Sequence, residues 1–432
     1  MNLPREFLSV MKARLGADYD NFLKSYEKPV VRGVRANTLK ISVEEFEKIS
    51  PVILDGCVPW EKSGFYTLSD SPGKTIEHAA GLYYVQEPSA MCAAPELDVR
   101  PGERVLDLCS APGGKGIQLA QYMDGEGVLV LNEINYDRFK ILESNVERMG
   151  IKNTLLTSAT PEVMAELFGS YFDKILVDAP CSGEGMFKKE PNAIPEWSLK
   201  NVEICAERQK NIIECADRML AVGGRMVYST CTFSSDENER QIESFLKNNK
   251  NYKLLDMKRL LPHNIRGEGH FCAVLEKTDG KRTDLKLKKP CVKDGNSLKP
   301  YREWEAQTLG IKLENVYDSD RAIRSFFDGM PDINFRSGYK ACRAEGLFLG
   351  CNDSAGKRFI PSHRLAMALK ADEAKSVDVD EYTALNYLHG LTFEAPTAEK
   401  GWNLVTYRGY PLGWCKVVEG VAKNHLPSGL RI

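Results

Sequence analysis

The sequence predicts an α/β protein built around one doubly wound domain, with parallel strands and helices on both faces. Three observations carry this. The apolar run Val105, Leu106, Leu108 has the length of a buried strand and stops at a compact turn, Cys109-Ser110-Ala111-Pro112-Gly113-Gly114, where a helical pattern opens at Lys115. Further short apolar runs then alternate with helical patterns as far as residue 249, which implies parallel pairing through right-handed crossovers. Finally, each run ends in small and polar residues, and ligands of such sheets lie outside the carboxyl ends of the strands.

A chain of 432 residues exceeds one ordinary core, so two to four domains are expected. Apolar residues make up 43% and charged residues 27%, the balance of a water-soluble globular protein. No apolar run reaches the roughly 18 residues of a membrane span. The opening MNLPREFLSVMKARLG carries charges where a signal peptide needs its apolar stretch, so a cytoplasmic protein is expected. A formal net charge of −2 gives no global nucleic-acid signal, so any basic surface must be local. The 12 cysteines show no C-x-x-C or Cys/His ligand spacing, which points to reduced thiols and away from a metal site.

Residues 1–75 form a leading unit. Phe7, Leu8, Met11, Leu15 and then Tyr19, Phe22, Leu23, Tyr26 have helical spacing; Val34 to Lys40 predicts a strand and Ser42 to Ile49 a helix. Arg32, Arg35 and Lys40 are expected on a solvated face. Residues 76–278 form the central domain. After the turn come helix 115–123, strand 128–131, helix 136–148, strand 175–177, helix 199–220, strand 225–228 and helix 236–249. Residues 279–300 are a lysine-rich linker. Residues 301–375 and 376–432 form two small mixed units, the last strand-rich, with Asn403 to Tyr407 and Gly413 to Val418 around a Tyr410-Pro411-Leu412 turn.

The strand ends carry the chemistry. Backbone N–H groups at a glycine turn before a helix face a nucleotide-like ligand. Glu133, twenty residues beyond Gly113, stands where an acidic side chain accepts hydrogen bonds from a ribose diol. A third strand delivers Asp178-Ala179-Pro180-Cys181-Ser182-Gly183-Glu184-Gly185, and a fourth Tyr228-Ser229-Thr230-Cys231-Thr232. Ser234 and Glu237 have capping-box spacing. A helix starting there would lower the pKa of the Cys231 thiol through its dipole. On these residues alone, Asp178 can also be structural, Cys181 a packed thiol, and the two cysteines a redox pair.

Together, VLDLCSAPGGK, Glu133, VDAPCSGEGMFKKEP and YSTCTFSSDENE resemble the RNA (cytosine-5) methyltransferases of the NOL1/NOP2/Sun family. GLYYVQEPSAM and PHNIRGEGHFCAVLE extend the match. LPREFLSVMKARLG, VRANTLKIS, YPLGWCK and KNHLPSGLRI resemble that family's bacterial small-subunit ribosomal RNA branch. The resemblance implies a Rossmann-like methyltransferase domain between a small RNA-binding-like N-terminal domain and a PUA-like C-terminal domain. It makes Cys109, Ser110, Ala111, Pro112, Gly113, Gly114 and Lys115 the loop around S-adenosylmethionine, with Glu133 on the ribose and Arg138 nearby. Thr160 takes the adenine position, where Ser158-Ala159-Thr160 lacks the carboxylate or amide expected there. By the same resemblance Cys231 adds to carbon 6 of cytosine, activating carbon 5 towards a methyl donor. Asp178 serves ring nitrogen 3, supported by Lys115, and Cys181 assists proton loss and release. Basic residues of the terminal domains and of Phe187-Lys188-Lys189 are expected on phosphates. The implied partner is ribosomal RNA or the small ribosomal subunit, for a monomer without metal. Transfer RNA as substrate, or an RNA-binding assembly factor with an idle site, are the alternatives.

Overall fold

The structure is a computed structural model, in which residues 1–289, 297–319, 322–333 and 342–432 are described, 342–344 by backbone alone. Its centre is an eight-stranded sheet. In spatial order the strands are Tyr252–Leu260, His270–Lys277, Leu220–Thr230, Phe172–Asp178, Arg104–Asp107, Val128–Asn132, Thr154–Thr157 and Cys342–Glu345. The five strands from Leu220–Thr230 to Thr154–Thr157 pair in parallel. The chain begins at Arg104–Asp107, steps outward twice, then returns to the other side at Phe172–Asp178. That reversal opens a crevice at the carboxyl ends of the two central strands.

Period-two burial divides the strands between two cores. Val105, Leu129 and Leu131 pack with Ile117, Met123, Phe139 and Val146 of helices Gly114–Met123 and Tyr136–Met149. Leu106, Val130, Ile175 and Val177 pack on the opposite face with Met164, Ile213 and Phe245 of helices Pro161–Phe168, Leu199–Met219 and Glu239–Asn248. Asn135 caps the second helix by accepting from Asp137 N and Arg138 N, and Gly150 at φ 74° ends it.

The expected elements are present with shifted ends. Strand Leu220–Thr230 begins where the preceding helix was expected to finish, and the last helix starts at Glu239 instead of Asp236. The antiparallel strands Tyr252–Leu260 and His270–Lys277 extend the sheet where no strand was foreseen.

The leading sheet orders Leu54–Cys57, Gly64–Thr67, Arg32–Ala36 and Tyr83–Val85, so its last strand lies past residue 75. Arg35 and Lys40 do not face solvent. Arg35 is fully buried, donating to Gln86 Oε1 and to Gly114 O, both at 3.0 Å. Lys40 Nζ donates to Ala80 O at 2.8 Å and Arg148 O at 3.1 Å. Only Arg32 keeps an exposed pairing, with Asp70 at 3.3 Å. Both cations turn inward because acceptors distant in sequence, which no local pattern shows, take their N–H groups, although Arg35 Nη1 is buried without a partner.

Between the linker and residue 375, Val316–Ser319, Ala322–Ser325, Leu347–Asn352 and Phe359–Pro361 form a four-stranded sheet, and Cys342–Glu345 joins the edge of the central one. Residues 290–296 of the expected linker lie outside the described residues. The C-terminal sheet contains Ser376–Val379, Gly401–Tyr407, Tyr410–Val418, Val421–Asn424 and Phe393–Glu394. Here Tyr410-Pro411-Leu412 is strand, not turn. The hairpin turns at Arg408-Gly409, with φ of 52° and 78°, the left-handed pair that a two-residue loop requires. Among the described residues, no helix is long and apolar enough to cross a membrane.

Candidate active site

A cleft of about 860 Å³ opens over the carboxyl ends of the central strands, within the size range of small-molecule sites. Its walls include Cys109, Ser110, Ala111, Pro112, Gly114, Lys115, Glu133, Arg138 and Thr160 on one side, and Asp178, Cys181 and Cys231 on the other. Gly113 lies just behind. Its φ is 114°, and a Cβ there would sit 3.1 Å from Leu142 Cδ1, so the turn needs glycine. Gly113 N donates to Ser110 O at 2.7 Å, closing the turn onto the helix start at Gly114.

Glu133 is buried at the end of its strand. It accepts from Asn135 N at 2.8 Å and pairs with Arg138 Nη1 at 3.3 Å, while Arg138 Nη2 donates to Ala111 O at 2.5 Å. Arg138 thus ties the acidic strand end to the glycine turn. Thr160 borders the cleft, with its Oγ1 capping the next helix by accepting from Val163 N at 3.4 Å. Ser110 Oγ is buried beside the Asp107 carboxyl. Burial, then the Asp107, Glu133 and Asp178 carboxylates, raise the Cys109 thiol pKa well above its ordinary value.

Lys115 and Asp178 form the charged centre. Lys115 Nζ donates to Asp178 Oδ2 at 2.8 Å, and Ser229 Oγ donates to Oδ1 at 2.8 Å. Burial works against both charges. The Lys115 ammonium nevertheless holds the Asp178 pKa below the usual carboxylate range. Burial similarly opposes the ammonium of Lys115, but Asp178 and the nearby Cys231 raise its pKa. Both groups stay ionised, which is the state their contact geometry favours.

Cys181 and Cys231 meet with 3.3 Å between their sulfurs. Their loops are stitched together: Gly185 N donates to Cys231 O at 2.8 Å, and Ser182 and Thr232 share a hydroxyl bond of 2.8 Å. Contact with Cys231, then burial, raises the Cys181 pKa well above the ordinary thiol value. Cys181 therefore holds its proton more tightly than an ordinary thiol, in contact with the Cys231 sulfur.

Glu237 does not cap a helix. Fully buried, it accepts from Ser182 N at 2.9 Å and from Gln209 Nε2 at 2.9 Å, bracing the two thiol loops. The helix it was expected to open starts at Glu239, eight residues past Cys231, with no side-chain cap on Asn238. Phe187 and Lys188 are also not free for phosphates. Phe187 packs edge-on to Phe7 at 5.3 Å, and Lys188 pairs with buried Glu268 at 3.1 Å, which leaves Lys189 on the cleft wall.

Several wall residues had no individual motif signal. Tyr84 and Gln86 come from the leading sheet, Asn132 joins Leu108 O and Ala159 O, and His270 stands beside Asp178. Of these, Tyr84 and Gln86 lie in GLYYVQEPSAM and His270 in PHNIRGEGHFCAVLE, stretches that carried the resemblance without pointing to single residues, while Asn132 lies in neither. Among the described residues no cluster of three or more His, Cys, Asp or Glu side chains could hold a metal ion.

Three family models divide the chain. Residues 3–88 match the N-terminal domain of 16S rRNA methyltransferase RsmF, residues 94–276 match 16S rRNA methyltransferase RsmB/F, and residues 374–432 match the methyltransferase RsmF PUA domain. Ribosomal RNA small subunit methyltransferase F of Shewanella woodyi is 32% identical, over 95% of this chain and 92% of its own. The protein of that name from Enterobacter sp. (strain 638) is 33% identical, over 99% and 95%. The chain belongs to the small-subunit methyltransferase F family. Its central fold is the Rossmann-like methyltransferase fold. A methyltransferase homolog protein from Pyrococcus horikoshii matches with TM-score 0.54 and 31% identity, over 64% of this chain and all (100%) of that one. NSun6 from Pyrococcus horikoshii with SFG matches with TM-score 0.58 over 64% of this chain and 99% of that one, a likeness of fold at 22% identity. The stretches that resembled cytosine-5 methyltransferases thus lie in a chain of RNA methyltransferase descent.

Proposed function

We propose that the chain transfers a methyl group from S-adenosylmethionine to carbon 5 of cytosine in small-subunit ribosomal RNA, through a covalent bond from Cys231 to carbon 6. The observation that carries this reading is the pair of sulfurs 3.3 Å apart beside the Lys115–Asp178 ion pair, in one cleft with the glycine turn. The relatives' names support the ribosomal substrate.

The residues on the cofactor side fit that ligand. Ser110 lines the cleft on the glycine turn, and Glu133 offers a carboxylate at the strand end to a diol, the donor and acceptor set a ribose needs. Cys109 to Lys115, Glu133, Arg138 and Thr160 would hold it. When bound, it supplies an electrophilic methyl carbon on a sulfonium.

The protein supplies everything else. Cys231 Sγ attacks carbon 6 as the nucleophile. Asp178 accepts from the N4 amino group of the base and, as charge develops at N3, passes to N3 a proton taken from the Lys115 ammonium that hydrogen-bonds it, leaving a neutral lysine amine. Cys181 stands beside the new carbon–sulfur bond; once its own proton has passed to water, its thiolate takes the carbon 5 proton, the freed pair re-forms the C5–C6 double bond, and the carbon 6–sulfur pair returns to Cys231 and releases the RNA. The target base must leave its stack, at about a few kcal/mol.

The test is bisulfite sequencing of total RNA treated with the protein and the methyl donor. Wild type should mark ribosomal cytosine, Cys231→Ala none, and Cys181→Ala should accumulate a covalent protein–RNA adduct. Activity surviving in Cys231→Ala overturns the assignment of the nucleophile; marks confined to transfer RNA overturn the substrate.

A further inference from the structure

His270 is the first residue of strand His270–Lys277 and is 2% exposed. It nevertheless borders the cleft with Asp178, Lys115 and Cys231. Strand register brings it there. Phe271 pairs with Thr230 in the antiparallel ladder, so His270 falls opposite Cys231, one step beyond the last pair. Asp178 pairs with Ser229 on the other side of the same strand. Gly269, at φ 104°, makes the approach possible: a Cβ there would stand 2.5 Å from Phe233 Cε1.

The imidazole is uncommitted. Both ring nitrogens are buried without a hydrogen-bond partner, and Nε2 lies 3.9 Å from Asp178 Oδ1, too far for a hydrogen bond. A buried polar group left in this state costs free energy, so its presence on a ligand-sized cleft points to a ligand that satisfies it. Burial, then the charge of Lys115, lowers its pKa to about 3, against the pull of Asp178. The ring is therefore neutral, with one N–H to donate at any working pH.

The proposed chemistry has a place for that donor. When Cys231 adds to carbon 6, the sulfur pair forms the new bond and the C5–C6 π pair shifts towards C4. The C4–N3 π pair then settles on N3 and, by conjugation through C2, on O2. Asp178, an anion hydrogen-bonded by Lys115 and Ser229, is an acceptor and cannot neutralise O2. We propose that His270 donates its ring N–H to O2 of the cytosine under attack, sharing with N3 the charge that addition creates and acting as a catalytic residue of the addition step. This rests on the cytosine-5 reading above.

The experiment uses the full chain with RNA carrying 5-fluorocytosine at the site mapped by bisulfite, and follows formation of the covalent adduct. Removing one such donor typically costs about a hundredfold in rate. His270→Leu and His270→Phe should each slow adduct formation by about that factor, with affinity for S-adenosylmethionine unchanged, the latter serving as the folding control. His270→Gln restores a neutral N–H donor and should recover most of the loss. Leu and Phe variants within threefold of wild type overturn the proposal, as does a Gln variant no faster than Leu, since packing alone then accounts for the residue. A wild type that forms no adduct overturns the cytosine-5 reading itself, and this proposal with it.

Discussion

Asp107 is buried beneath the glycine turn, inside the motif that opens the central domain. Burial first, and the Asp178 charge second, raise its carboxyl to about 7. An unfolded chain releases that proton near the ordinary carboxylate value of about 3.9. Between these values the folded chain holds one proton more than the unfolded chain, so this group's contribution to stability falls as pH rises through the window. Asp107→Asn cannot ionise. Urea unfolding at pH 5 and pH 8 should show wild type losing more stability across the interval than the Asn variant. Equal losses would mean that Asp107 titrates normally. Glu237 makes the same point about single residues: its spacing from Ser234 is that of a cap, yet its carboxylate is used 55 residues away, on Ser182.

At the scale of the element, strand–turn–helix around Gly113 sets the cofactor wall. Gly113→Ala places a Cβ 3.1 Å from Leu142 Cδ1 and 3.2 Å from Ile117 Cδ1, at a φ that side chains resist. The strain, about 1–3 kcal/mol, falls on the turn closed by Gly113 N and Ser110 O. Calorimetry should find affinity for S-adenosylmethionine reduced about tenfold or more, with the helix content unchanged. Strand His270–Lys277 works differently: it brings His270, and Gly269 just before it, to the cleft, and its antiparallel pairing with Leu220–Thr230 registers His270 against Cys231.

The whole molecule joins its ends. Val34, Phe46 and Tyr83 of the leading unit share one core with Tyr387, Val405 and Leu412 of the C-terminal unit, and Arg408 pairs with Glu77 across it at 3.7 Å. Tyr387→Ala should therefore cost about 3–5 kcal/mol and loosen both units at once. Hydrogen exchange checks this, with protection expected to drop in Arg32–Ala36 as well as in Gly401–Tyr407. Loss confined to the C-terminal sheet would separate the two. The leading helices have a second contact, with the thiol loops: Phe7 and Phe22 meet Phe187 and Phe233 at 5.3 and 5.6 Å. The N-terminal unit is thereby a support of the site as well as a neighbour.

Local signals were enough for most of the alternating strands and helices (not for strand Thr154–Thr157 and helix Pro161–Phe168), the glycine turn, the acidic strand end and the two cysteine motifs, because each is encoded within a dozen consecutive residues. Distances between those motifs were not encoded that way. Only the folded sheet brought Cys181 to Cys231, sank Arg35 and Lys40 against distant carbonyls, moved Glu237 from cap to brace and set His270 beside Asp178. Pairing across strands depends on register, and register is fixed by the packing of the whole sheet.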